Sequence, residues 1–173
     1  QRQMCIEHSP NLLLYGSTGL GKTFLSSCIA KVVSEHGFSV AYDTSIRIFS
    51  SYESVKFNSA DAAEATRRIR KYTQCDLLII DDLGTEMTTA FTISTLYGLL
   101  AERLMRHRPM IVNTNLLPID FETRYSPAIG SRLSGDFVPL RFFGDDIRII
   151  KQKNGSGKRT VSYTHLRAHE TCA

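Results

Sequence analysis

Residues 16–23 read GSTGLGKT and directly follow the apolar run NLLLY. The spacing fits G-x-x-x-x-G-K-[ST], in which glycines let successive backbone N–H groups turn inward around a phosphate. The lysine then reaches the outer phosphate oxygens, and the threonine offers a hydroxyl to Mg²⁺. The pattern predicts a binding stretch for a nucleoside triphosphate formed by Gly16, Ser17, Thr18, Gly19, Leu20, Gly21, Lys22, Thr23 and Phe24.

Two aspartates follow a second apolar run, LLII, further along the chain. A carboxylate at the end of a strand beside a phosphate loop can hold Mg²⁺ through water, and we assign this role to Asp81 together with Thr23. Asp82 is placed to orient or polarise an attacking water. An acidic pair is also a common boundary between a strand and a turn, but its spacing from the glycine-rich stretch favours catalysis.

Two more catalytic candidates lie towards the C-terminus. The run PMIVNTN ends in Asn115, which we predict to sense the γ-phosphate or the water, whereas Asn113 is interpreted as structural. A helix cap is the alternative for Asn115. Arg132 lies on a predicted short helix, SPAIGSRLSGDF, from which a cation can reach a neighbouring subunit's γ-phosphate as an arginine finger. A surface or salt-bridged arginine would look the same in sequence.

Strand-like runs alternate with helical patterns along the chain. The predicted strands are NLLLY, FSVAYDT, CDLLIIDDLG, PMIVNTN and VPLRFFG. The predicted helices are FLSSCIAKVVSEHG and TTAFTISTLYGLLAERLMRHR. This alternation is typical of a parallel sheet covered on both faces. We therefore expect an α/β fold, a three-layer α/β/α sandwich around a five-stranded parallel sheet.

The segment between the second and third predicted strands is longer than a simple crossover needs and has a helical pattern. It carries basic residues with aromatic residues interleaved, which suits phosphate neutralisation and base stacking on single-stranded nucleic acid. The alternative is a solvated basic helix face whose aromatic residues belong to the core. The nucleic-acid candidates are Lys56, Arg67, Arg68, Arg70 and Lys71.

The 173 residues are enough for one domain with a sizeable core. Apolar runs are shorter than the roughly 18 residues of a membrane helix, and no signal peptide is recognisable at the start, so the sequence predicts a cytoplasmic protein. Four cysteines without a CxxC pair argue against a zinc site and a disulfide framework. A net charge of +4 is compatible with nucleic-acid binding and does not require it.

Both ends of the chain are interpreted separately. Residues 1–10 are expected to be the end of a longer N-terminal region, and residues 11–153 to form the domain. Residues 154–173 are expected to be disordered or artefactual, since SYTHLRAHET resembles translated adapter sequence at the ends of gene models. His165 and His169 have a metal-ligand spacing, which we attribute to accident because no acidic partner lies nearby.

The sequence resembles the AAA+ ATPases, and most closely the DnaC/DnaI-type loaders of bacterial replicative helicases. The stretches that carry the resemblance are NLLLYGSTGLGKTFLSSCIA, CDLLIIDDLGTE, IVNTNLLP, SRLSGDF and FFGDDIRIIK. The resemblance extends from Asn11 to Lys151. It implies ATP and Mg²⁺ as cofactors, slow switch-like hydrolysis, a homo-oligomer formed on ATP binding, and a replicative DNA helicase and single-stranded DNA as partners. By this resemblance residues 16–23 are Walker A, residues 81 and 82 Walker B, Asn115 sensor 1 and Arg132 the arginine finger.

The sequence also departs from that family. AAA+ motors usually have glutamate at the position of Asp82, and the shorter side chain fits a slow switch better than a fast motor. We expect no helical lid with a sensor-2 arginine, as in the loader group, so Arg148 is only a weak candidate for a nucleotide contact. Two other functions stay open: a transposition-helper ATPase of the IstB type, which assembles on duplex DNA, and a nucleotide-binding switch without hydrolysis.

Overall fold

The computed structural model describes residues 11–154, in which five parallel strands form one sheet. The expected N-terminal region at 1–10, the tail from residue 155 onward, and His165 and His169 lie outside the described residues. The strands are β1 (Asn11–Tyr15), β2 (Val40–Thr44), β3 (Leu77–Leu83), β4 (Met110–Thr114) and β5 (Phe137–Arg141). The helices are α1 (Lys22–Glu35), α2 (Ser45–Lys56), α3 (Ala62–Gln74), α4 (Ala90–Met105), α5 (Asp120–Arg124), α6 (Pro127–Gly135) and α7 (Ile147–Asn154).

The strand order is β2-β3-β4-β1-β5, and every neighbouring pair is parallel. The predicted five-stranded parallel α/β fold is therefore confirmed. The order makes β1, β4 and β3 adjacent, so that their carboxyl ends meet at one edge of the sheet. The predicted glycine-rich loop follows β1, Asn115 follows β4, and the aspartate pair lies near the carboxyl end of β3.

Each face of the sheet has its own hydrophobic core, because side chains along a strand alternate between the two faces. Leu78 and Ile80 of β3 pack with residues of α2, α3, α4 and α6, whereas Leu77 and Ile79 face α1. A central strand buried on both sides requires a continuous apolar run, and LLII supplies it. The sheet is thus a rigid base for the loops at its carboxyl edge.

The long segment between β2 and β3 folds as two helices, α2 and α3, joined by residues 57–61. Thr44 caps α2 by accepting a hydrogen bond from the backbone N–H of Arg47. Ser126 caps α6 in the same way, with Pro127 in the first turn. Helix α4 begins with a capping box between Thr89 and Thr92. Within residues 11–154, no helix combines the length and apolar character that crossing a bilayer requires.

Candidate nucleotide-binding site

The loop between β1 and α1 has a backbone that only glycine adopts easily. Gly16 has φ +138°, and a Cβ there would lie 2.1 Å from the carbonyl oxygen of Phe142. Gly19 and Gly21 have φ +74° and +93°. Gly21 precedes α1 directly, so the first N–H groups of that helix have no side-chain cap from this position. The predicted phosphate loop therefore has the turns and the helix N-terminus that bind phosphate.

Lys22 lies inside this loop. Its Nζ donates hydrogen bonds to the carbonyl oxygens of Gly16 and Ser17, each at 2.7 Å, and to Asn115 Oδ1 at 2.8 Å. Burial lowers the pKa of Lys22 below its usual range, and the carboxylates of Asp82 and Asp81 oppose that shift. The ammonium group is thus held at the position where β- and γ-phosphates would lie on a loop of this kind.

Asp81 is buried, and its carboxylate is surrounded by donors. Oδ1 accepts hydrogen bonds from Thr23 Oγ1 at 3.2 Å and from Asn113 Nδ2 at 2.8 Å. Oδ2 accepts one from the Tyr42 hydroxyl at 2.7 Å. Burial and this hydrogen bond raise the pKa of Tyr42, so the phenol stays protonated and continues to donate. The network fixes the Asp81 carboxylate beside the Thr23 hydroxyl.

The pair formed by Thr23 and Asp81 suits Mg²⁺, which prefers oxygen ligands and is commonly held by one or two protein groups together with phosphates and water. In the described part of the chain, no group of three or more His, Cys, Asp or Glu side chains forms a candidate metal cage. The Thr23 hydroxyl and the Asp81 carboxylate are oxygen donors of the kind that could share Mg²⁺ with nucleotide phosphates.

Asp82 has an unusual backbone conformation, with φ +53°. Its carbonyl oxygen accepts hydrogen bonds from Thr85 N and Oγ1 at 3.2 and 2.9 Å, and Ser45 Oγ lies 3.1 Å from it. The pairing of β3 with β4 is irregular between Ile80 and Leu83. These contacts turn the chain so that the Asp82 side chain is exposed while Asp81 is buried. The two aspartates therefore occupy different environments, as their predicted different roles require.

The two asparagines of β4 and its following loop lie in different environments too. Asn113 is buried and joins Asp81 to Ser26, whose hydroxyl donates to Asn113 Oδ1 at 2.8 Å. Asn115 is exposed and contacts Lys22. Asn115 therefore lies at the phosphate loop, as its predicted role requires. Asn113, which was interpreted as structural, has a contact with Asp81 that the sequence did not predict.

Arg132 lies on α6 and contacts α4. Its guanidinium group stacks 5.0 Å from the centre of the Tyr97 ring, and NH2 donates to the Tyr97 hydroxyl at 3.3 Å. Both side chains are partly exposed. Arg132 is therefore a surface residue that packs on an aromatic ring. These contacts do not connect it with Lys22 or Asp81.

The predicted nucleic-acid residues are distributed over α2 and α3. Arg67 pairs with Glu64 at 3.2 Å, whereas the half-buried Arg68 donates to Ser51 Oγ at 3.1 Å. Lys56 lies 4.5 Å from the centre of the Phe91 ring. The remaining two candidates, Arg70 and Lys71, are exposed.

The aromatic residues of the same segment are mostly in the core, as the alternative interpretation expected. Phe49 and Tyr72 are buried, and Tyr52 packs against the core cluster. Burial raises the pKa of Tyr52 and Tyr72 to about 12. Only Phe57, at 73% exposure, is an aromatic residue of this segment that is available for stacking on a base.

Sequence reasoning missed Tyr42, Glu86 and Tyr125. Tyr42 binds Asp81, and the buried Glu86 accepts hydrogen bonds from Ser45 Oγ at 2.7 Å and from the Tyr125 hydroxyl. The signal for Glu86 was present, because it closes the run IIDDLGTE that contains the aspartate pair. Tyr42 and Tyr125 had no such signal, since their partners are 39 residues away along the chain.

Comparison with solved structures shows the fold. The chain superimposes on DnaA bound to AMPPCP and single-stranded DNA with a TM-score of 0.68 at 20% identity, covering 89% of this chain and 49% of that one. It superimposes on the DnaC helicase loader with a TM-score of 0.68 at 17% identity, covering 82% of this chain and 85% of that one. These likenesses show that the described fold is an α/β sandwich shared with both proteins.

Sequence comparison identifies the family. The chain is 28% identical over 113 residues to a putative ATP-binding protein in an insertion sequence of Mycobacterium tuberculosis, covering 65% of this chain and 43% of the relative. The chain thus spans less than half the length of that relative. The family model described as IstB-like ATP binding protein matches residues 3–126. Because this match covers well over half of the chain, and the phosphate loop lies within it, the protein belongs to the family of IstB-like ATP binding proteins.

Proposed function

We propose that the protein is an ATP-hydrolysing molecular switch that assembles into a homo-oligomer and acts on DNA. One observation carries the proposal: three separate parts of the sequence come together at the carboxyl edge of β1, β3 and β4, and they supply Lys22, the pair Asp81 and Asp82, and Asn115. Membership of an ATP-binding family supplies the nucleotide. A lysine, a buried carboxylate, an exposed carboxylate and an amide at one phosphate loop are the groups that phosphoryl transfer needs.

Each group has a distinct role in this mechanism. Residues 16–24 bind the phosphates, and Lys22 exchanges its contacts with loop carbonyls for contacts with phosphate oxygens. Thr23 and Asp81 hold Mg²⁺, which neutralises charge on the phosphates. Asp82, exposed beside them, orients the attacking water, and Asn115 binds the γ-phosphate or that water. The short side chain of Asp82 is consistent with slow turnover.

Oligomerisation supplies the remaining group. Arg132 contacts Tyr97 at the surface and does not contact Lys22. An arginine finger that serves a neighbouring subunit must lie at the surface. Its stacking on Tyr97 limits the orientations of the guanidinium group. We propose that Arg132 reaches the γ-phosphate of the adjacent subunit, so that assembly and hydrolysis are coupled.

Two roles for such a switch are compatible with this mechanism. The first is loading of a replicative DNA helicase onto single-stranded DNA, which the resemblance to DnaC/DnaI-type loaders suggests and the fold shared with the DnaC helicase loader supports. The second is assistance of a transposase, which the family match and the relative in an insertion sequence favour. In both roles the exposed cations of α2 and α3 are proposed to contact DNA phosphates.

Turnover and its dependence on assembly test the enzymatic proposal. We expect the complete protein to release phosphate from ATP cooperatively as protein concentration rises. Lys22→Ala is expected to abolish ATP binding, whereas Asp82→Asn keeps binding and stops hydrolysis. Arg132→Ala should keep binding and lose the cooperative phase. ATP binding without any turnover would instead identify a non-hydrolysing switch, and unchanged cooperativity in Arg132→Ala would remove its role across the subunit boundary.

The DNA substrate separates the two roles. Equilibrium binding with ATP and Mg²⁺ is measured on single-stranded DNA and on a duplex of the same sequence, at several salt concentrations. A helicase loader is expected to prefer the single strand, and a transposition helper is expected to assemble on the duplex. Binding to neither form with ATP would contradict both roles.

A further inference from the structure

Glu86 is a buried carboxylate in the turn between β3 and α4, four residues after Asp82. It is 6% exposed. Its Oε2 accepts hydrogen bonds from Ser45 Oγ at 2.7 Å and from the backbone N–H of Gly84 at 3.0 Å, and its Oε1 accepts one from the Tyr125 hydroxyl. A buried carboxylate is unfavourable unless donors surround it, and here donors from separate parts of the chain do so.

The first connection leads from Glu86 to Asp82. Ser45 Oγ, which contacts the Glu86 carboxylate, also lies 3.1 Å from the carbonyl oxygen of Asp82. Asp82 has φ +53°, a conformation that a non-glycine residue keeps only where its surroundings impose it. Gly84, in the same turn, also donates to Glu86. The carboxylate of Glu86 therefore holds the turn that sets the position of the Asp82 side chain.

The second connection leads from Glu86 to helix α6. Tyr125 directly follows α5 and precedes Ser126, which caps α6, the helix on which Arg132 lies. Burial and the hydrogen bond to Glu86 raise the pKa of Tyr125, so its hydroxyl remains a donor throughout the neutral range. Arg124 donates to the backbone carbonyl of Glu86 at 2.8 Å. Two successive residues before α6 are thus bound to Glu86.

We propose that Glu86 is a positioning residue for ATP hydrolysis, which holds the Asp82 turn through Ser45 and the α5–α6 segment through Tyr125. The inference rests on the proposed function, because it assigns Glu86 a part in placing Asp82 and Arg132. Glu86 does not touch the nucleotide in this account. It fixes the relative positions of the turn carrying the water-orienting carboxylate and the segment leading to the arginine finger.

The test compares substitutions at both ends of the Glu86–Tyr125 hydrogen bond in the complete protein. Tyr125→Phe and Glu86→Leu are expected to lower kcat about tenfold or more while the Kd for ATP stays within about twofold, since a misplacement of about 1 Å can cost up to about 100-fold in rate. Glu86→Gln can still accept from Ser45 and donate to Tyr125, so it is expected to retain kcat within about threefold.

A matched control separates positioning from stability. Tyr72→Phe removes a part-buried hydrogen bond of another buried tyrosine, from the Tyr72 hydroxyl to Asp43 Oδ2 at 2.8 Å, which does not involve Glu86. We expect it to lower the urea midpoint as Tyr125→Phe does and to leave kcat unchanged. The kcat is expressed per folded molecule, with the folded fraction taken from circular dichroism.

The outcomes distinguish this inference from the proposed function. If the wild type turns over ATP and Asp82→Asn stops it, but Tyr125→Phe and Glu86→Leu keep the wild-type kcat, Glu86 has only a structural role and the inference is wrong. The same holds if Tyr72→Phe lowers kcat equally. If the wild type binds ATP without turnover, the proposed hydrolysis fails first, and Glu86 then has no reaction to serve.

Discussion

Replacing Asn113 with leucine removes one of four hydrogen bonds that the buried Asp81 carboxylate accepts. A hydrogen bond to a charged group contributes about 1.5–3 kcal/mol to stability. Ser26 loses one partner but keeps the Lys22 carbonyl oxygen at 2.9 Å, so its loss is small. Leucine has the branched shape of asparagine but a larger volume, so it leaves no cavity, and any overpacking at this buried site adds to the loss. We therefore expect Asn113→Leu to destabilise the protein by at least about 1.5–3 kcal/mol.

Asn115→Leu is the same chemical change two residues later, at an exposed position. Surface substitutions usually change stability by less than about 0.5 kcal/mol. Asn115 instead contacts Lys22 at the phosphate loop, so its replacement is expected to slow ATP turnover by about tenfold or more, as the loss of a preorganised polar group at a developing charge does. Asn113→Leu should thus lower stability, whereas Asn115→Leu should lower the rate of turnover with little change in stability.

Urea denaturation followed by circular dichroism, and phosphate release at saturating ATP, measure the two effects. With a slope of about 2 kcal/mol per molar urea, Asn113→Leu should lower the midpoint by about 1 M at unchanged slope, and Asn115→Leu by less than about 0.3 M. Equal midpoints for the two variants would refute the account of the Asp81 network. Normal turnover in Asn115→Leu would remove its predicted role as a sensor.

Three further predictions concern the loop, a surface carboxylate and the basic helix. Gly16→Ala should lower the melting temperature and the ATP affinity, because the φ of Gly16 is +138° and a Cβ there would meet Phe142. Gly98→Ala in α4, with open space around it, should be neutral or should stabilise the protein by up to about 1 kcal/mol. A lower melting temperature for both variants would contradict the reasoning. For Asp76, burial raises the pKa but is outweighed by hydrogen bonds from Ser39 and by Arg108, so the net pKa lies below 3.8. The stability that Asp76 adds is present above pH 3.8 and is lost as the pH falls further. The difference in unfolding free energy between wild type and Asp76→Asn should therefore shrink in acid. A difference that does not depend on pH would contradict the lowered pKa of Asp76. Combined alanine substitutions in α3 should weaken DNA binding and reduce its salt dependence; the substituted residues are Arg67, Arg68, Arg70 and Lys71. An unchanged salt dependence would show that these residues do not contact DNA phosphates.

The fold was accessible from sequence because local pattern and global structure agree. The LLII run of β3 is buried on both faces, and the GSTGLGKT stretch lies between a strand and a helix as its spacing predicts. Because the strands are parallel and β1, β3 and β4 are adjacent, their carboxyl ends share one edge, so residues at the ends of these strands had to lie near one another. Element order and side-chain chemistry were sufficient for this part of the site.

The contacts that hold the site were not accessible from sequence. Asn113 and Asn115 are the same residue type in one short run, but Asn113 lies within β4 and is buried against Asp81, whereas Asn115 lies just past the end of β4 and contacts Lys22. Arg68 belongs to a run of basic residues, yet helix geometry turns it toward Ser51. Glu86 and Tyr125 meet only because α5 packs beside the β3–α4 turn, a tertiary contact without a local sequence signal.

The central claim is that ATP binds at the loop of residues 16–24 with Lys22 on its phosphates. Isothermal titration calorimetry of the complete, folded protein with ATP tests it most directly, in the presence and absence of Mg²⁺ and with Lys22→Ala as the paired variant. The account predicts one saturable site per chain, weaker without Mg²⁺ and absent in Lys22→Ala. Undiminished ATP binding by a folded Lys22→Ala protein, or no binding by the wild type, would contradict it.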